Sequence, residues 1–141
     1  MIALSRLPDW RSRFAEEVDT LRRTPFDWNG HDCVVGLTGK MITAITGEDL
    51  VADYRGKYST AAGALKVVRK AGFNNLADMV ASLLPEIHPS SAHVGDIAAI
   101  PMDSPFGFAL GVVNGERVFV LMPGGVGTVD LLDATRAFKV G

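Results

Sequence analysis

Three consecutive residues, His31, Asp32 and Cys33, place an imidazole, a carboxylate and a thiol in one short stretch of the chain. A thiol attacks as thiolate, and a thiol on the first turn of a helix faces the positive end of the helix dipole, which lowers its pKa. Asp32 is a natural cap for a helix opening at Cys33, because its side chain can accept from the first unpaired backbone N–H groups. The same cysteine also reads as a small buried apolar residue, which free cysteines commonly are. His31, two residues away, is the imidazole nearest in sequence and a candidate partner for the thiol. His88 and His93 lie in a proline-containing connector far along the chain. As loop residues, all three histidines are expected to face solvent. The triplet is a poor metal site, because adjacent residues rarely point at one ion and the usual paired ligand spacings are absent. No metal or cofactor is expected. Gly124, Gly125 and Gly127 do not open a helix as a phosphate-binding loop requires, and read as a turn.

These residues must be positioned by four helices and a sheet. Leu7, Trp10, Phe14, Val18 and Leu21 recur at helical spacing, predicting a helix over 8–23 that Thr24 and Pro25 end. Phe26-Asp27-Trp28-Asn29-Gly30-His31-Asp32 is a turn-rich loop. Apolar residues on more than one face predict a helix over 33–46, buried on several sides and closed by Gly47. Residues 48–58 read as irregular. Ser59 or Thr60 caps a third helix reaching Ala71, with Ala61, Leu65 and Val68 inward. Asn74 or Asn75 caps a fourth that ends before Pro85. After Pro89 the pattern turns to strands over 96–100, 106–113, 116–121 and 126–132, with Asn114-Gly115 marking a hairpin. Helices followed by an antiparallel meander define an α+β fold. Trp28 is either a contact anchor at a surface or part of a core or cleft wall.

The chain has 141 residues, 48% hydrophobic, with a formal charge of −2. That size and composition suit one domain, 1–141, with an N-terminal helix in 1–25, a helical half in 26–85 and a sheet half in 94–135. The charge speaks against a broad nucleic-acid surface. Cys33 is the only cysteine, so no internal disulfide forms. No run approaches the roughly 20 apolar residues of a membrane helix, and the first seven residues do not read as a signal peptide.

The order of four short pieces carries a resemblance. Phe26-Asp27-Trp28-Asn29-Gly30, then Asp32-Cys33, then Gly95-Asp96-Ile97-Ala98, then Ala109-Leu110-Gly111-Val112-Val113 is similar to the NlpC-type cell-wall peptidases, papain-like cysteine hydrolases of peptidoglycan. The short form resembles most a divergent branch encoded in bacteriophage and prophage tail gene clusters. The resemblance implies a papain-like α+β fold with Cys33 at the nucleophile position. The family's histidine base falls where this chain has Ala109, and its third polar residue falls in the apolar run Val118-Phe119-Val120-Leu121. The resemblance therefore implies a structural or assembly part of a phage tail tip or baseplate, made in the bacterial cytoplasm and carried in the virion. Its partners would be other tail proteins and peptidoglycan. The alternative is an active peptidoglycan peptidase or amidase with Cys33 as nucleophile and His31 as a relocated base.

Overall fold

The computed structural model describes residues 4–141; the first three positions of the expected 1–141 domain lie outside the described residues. Helix α1 spans Trp10–Arg23. A helix then opens with a π-helical turn, Cys33–Thr38, and continues as α2, Gly39–Thr46. Helices α3, Ala61–Lys70, and α4, Leu76–Ala81, follow. The strands are β1 (Glu86–Ile87), β2 (Ile97–Pro101), β3 (Phe108–Asn114), β4 (Arg117–Met122), β5 (Gly125–Asp130) and β6 (Arg136–Phe138). They form one antiparallel sheet in the order β1-β6-β2-β3-β4-β5. No helix among the described residues is long and apolar enough to cross a membrane.

Local chemistry explains the boundaries. Thr60 caps α3 by accepting from the Gly63 N–H, and Asn75 caps α4 by accepting from the Asp78 N–H. Gly47, at φ +79°, ends α2 in the left-handed region that glycine occupies without strain. In α3 the fully buried positions are Ala64 and Val68, whereas Ala61, expected inward, is exposed because the core contacts begin one turn later. The hairpin turn lies one residue further along than the Asn114-Gly115 pair suggests. Asn114 still pairs with Arg117, leaving Gly115 and Glu116 as the two-residue loop.

Strands β2 to β5 are the expected meander. The two additions are short: β6 returns along β2, and β1 pairs with β6 at the sheet edge. The last expected strand gives way at Leu131 to a single 3-10 turn, capped by Asp130. The main core lies between the helices and one sheet face, with Leu37, Met41, Ile45, Leu110, Val112 and Phe138 among its fully buried members. A smaller cluster, including Ala98, Val113 and Val118, fills the opposite face.

Candidate functional site

Cys33 begins the helix that crosses the sheet, so its surroundings follow from how that helix starts. Asp32 accepts from the Val35 N–H at 2.9 Å and the Gly36 N–H at 3.4 Å through Oδ1. Its Oδ2 accepts from the Tyr58 hydroxyl. The backbone widens here: the Leu37 N–H reaches the Asp32 carbonyl at 2.8 Å. Thr38 Oγ1 donates to the Cys33 carbonyl at 2.8 Å and lies within bonding reach of the Val34 carbonyl. Asp32 is thus a cap and a hydrogen-bond anchor for Tyr58, with both carboxylate oxygens engaged.

Half-buried Cys33 opens onto a cleft of about 340 Å³ between the helical half and the sheet. The walls are almost wholly apolar. Trp28, Tyr58, Met102, Phe106, Ala109 and Leu121 are among them. Trp28 stacks on Phe106 at 5.8 Å between ring centroids, and Phe26 meets Trp28 edge-on at 5.0 Å. Trp28 is therefore a cleft-wall residue. Ala109 faces this same space with a methyl group, and of the apolar run Val118-Phe119-Val120-Leu121 it is Leu121 that lines it.

The electrostatics follow from the walls. Burial first, and then the Asp32 charge, push the Cys33 thiol up to about 12, against the opposing backbone hydrogen bonds from Leu110 and from Cys33 itself. The helix mouth is present, but desolvation outweighs its field, and the activation expected from the dipole does not result. Tyr58 is likewise raised, first by burial and then by its bond to Asp32.

His31 does not face solvent as a loop residue should; it is 4% exposed. Two backbone hydrogen bonds between Asp27 and His31 close the loop and fold the residue inward. Its ring packs against Gly36, where a Cβ would stand 2.7 Å from Nδ1. It does not line the cleft that Cys33 lines. Neither ring nitrogen has a hydrogen-bond partner among the described residues. Burial, then the Lys40 charge, lowers its pKa, with Asp32 and Asp27 opposing. His88 is exposed and accepts from the Ser90 N–H. His93 is exposed and borders a separate hollow with Arg6 and Trp10. No histidine lines the cleft among the described residues.

Sequence reasoning did not single out Tyr58, Phe106 or Phe108 as cleft residues, or the Leu110 amide at the sulfur. The signal available for Tyr58 was an aromatic residue in an irregular polar stretch just before a helix cap. Among the described residues no cluster of three or more metal-type ligands forms.

Four helices against one face of an antiparallel sheet, with a cysteine-headed helix at a cleft, define an α+β domain of the NlpC/p60 kind. The fold is similar to the crystal structure of the NlpC/p60 domain of the peptidoglycan hydrolase SagA. The TM-score is 0.55 at 17% sequence identity, covering 91% of this chain and 97% of that one. The chain belongs to the family described as a domain of unknown function, DUF6950, whose sequence pattern matches residues 5–140. No curated protein matches it.

Proposed function

We propose that this chain is a structural or assembly component of a bacteriophage tail tip or baseplate, built on an NlpC-like fold that does not cut peptide bonds. The observation that carries the reading is the cleft around Cys33: Ala109 and Leu121 face it, no imidazole lines it among the described residues, and the thiol is held protonated. Amide cleavage by a thiol needs a group to take up and return a proton, a contribution of roughly 10²–10⁴ in rate. The tail setting, with its virion location and tail-protein partners, rests on the resemblance of the four quoted pieces to the short phage branch. Co-expression with tail-tip proteins from a gene cluster that encodes such a chain tests it. Stable co-purification is expected; a monomer that binds none of them would remove the assembly role.

One observation favours an active peptidoglycan peptidase or amidase. Cys33 sits at a helix mouth with the Leu110 amide at its sulfur, in a fold similar to that of a peptidoglycan hydrolase domain. His31 would have to leave Gly36 and enter the cleft, which breaks no ring hydrogen bond. Incubation with purified peptidoglycan separates the readings: release of muropeptides that Cys33→Ala abolishes supports the hydrolase, and no release supports the assembly component.

A further inference from the structure

The cleft's charge inventory limits what it can hold. Its walls contain no lysine, arginine or histidine among the described residues, and Asp32 is their only charged member. Both Asp32 oxygens are already occupied by the helix N–H groups and Tyr58. A ligand carboxylate entering this space would lose its hydration and find no cation, and a ligand amine would find no free anion. Either arrangement leaves a desolvated charge unpaired, which is strongly unfavourable. An uncharged apolar group would instead displace water from Trp28, Phe106, Phe108 and Leu121. The volume, about 340 Å³, falls at the small end of the roughly 300–1,000 Å³ of ligand pockets. The cleft is not closed over: Met102 at its margin is 50% exposed, and Phe106 and Phe108 are half-buried. Small-molecule sites usually bury most of their ligand's surface. An open apolar cleft with a flexible methionine at its margin better suits side chains presented by a larger partner.

We propose that the cleft is a docking site for an uncharged, apolar segment of a partner protein, which inserts bulky aliphatic or aromatic side chains between Trp28, Phe106 and Leu121. The inference rests on the reading that this cleft does not cut.

Trp28 reports on its own cleft once Trp10→Phe removes the other tryptophan. The probes are a blocked Ser-Leu-Phe-Leu-Ser peptide, acetylated and amidated, the same peptide with glutamate in place of phenylalanine, and the uncharged dye Nile red. The expected result is a saturable change in Trp28 emission with the apolar peptide, with binding at least about tenfold weaker for the glutamate peptide. Met102→Glu, at an exposed position, should weaken the apolar peptide by about tenfold. Ala109→Phe, checked for folding by circular dichroism, should abolish the change by filling the space. Equal binding of both peptides, or no saturable change with the apolar one, overturns the proposal. One-to-one binding of Nile red without peptide binding also overturns it, in favour of a free small apolar ligand. Muropeptide release is measured on the same samples. Cys33-dependent release would sink the non-cutting reading, whereas absence of both release and peptide binding would sink only the docking site.

Discussion

Burial and the Asp32 charge push the Cys33 proton in the same direction, toward staying on the sulfur. With the thiol at about 12, the thiolate fraction at pH 7 is about one in 10⁵. His31 is perturbed in the opposite sense: its folded pKa lies below its unfolded one. The unfolded chain therefore takes up a proton near pH 6.5 that the folded chain resists, so stability is present above about pH 6.5 and is lost as pH falls toward the lowered value. The expected slope is at most about 1.4 kcal/mol per pH unit. Urea melts between pH 5 and pH 7 should show it, and His31→Gln should flatten it. Lys40 reinforces the lowering while Asp27 and Asp32 moderate it. Nearby Glu17 is raised by burial. Its contribution has the opposite sign, being present below the unfolded carboxyl pKa and lost as pH rises through the raised folded value, so the difference between the parent protein and His31→Gln isolates the histidine slope. The buried state of His31 was not legible in the sequence, because loop composition signals exposure while the Asp27–His31 backbone pairing that turns the residue inward has no residue signature.

At the scale of elements, the π-helical opening and the loop before it are fitted to one another. A Cβ on Gly36 would lie 2.5 Å from the His31 Cα, a backbone atom that cannot swing aside. Gly36→Ala is expected to destabilise the fold by about 1–3 kcal/mol, measured by chemical denaturation, without emptying the cleft. Tyr58→Phe removes the hydroxyl that donates to Asp32 Oδ2 and should cost about 1–3 kcal/mol; a change indistinguishable from zero would show that water replaces the hydroxyl. The helices were legible because caps and periodicity agree at Thr60, Asn75 and Gly47. The π turn was not, since Cys33 through Thr38 carry the same apolar pattern an α-helix would. Strands β1 and β6 were missed because two or three residues are too few to show alternation.

At the scale of the molecule, the two ends of the described chain meet at the turn before β2. Asp96, 2% exposed, accepts from Arg6 Nη2 at 3.0 Å, from the Val140 N–H at 2.9 Å and from the His93 N–H at 2.8 Å. Arg6 also donates to the Val94 and Val140 carbonyls. Asp96→Ala leaves Arg6 without its carboxylate and should destabilise by about 3 kcal/mol, seen as a lower urea midpoint with an unchanged slope. Gly95-Asp96 belongs to the pattern that made the NlpC resemblance legible, and in this structure the aspartate's work is architectural. The α+β layering was readable from helices preceding strands; the apolar character of the cleft was not, because its walls come from six separate stretches of chain.

Among the described residues no imidazole lines the cleft at Cys33, and both oxygens of the neighbouring Asp32 are already engaged. The most direct test is the rate of iodoacetamide labelling of Cys33 as a function of pH. The structure predicts a rate well below that of a free cysteine at pH 7.5, rising about tenfold per pH unit through pH 10 with no plateau. A plateau beginning at or below pH 7.5, lost in His31→Gln, would reveal a thiolate–imidazolium pair and contradict the account.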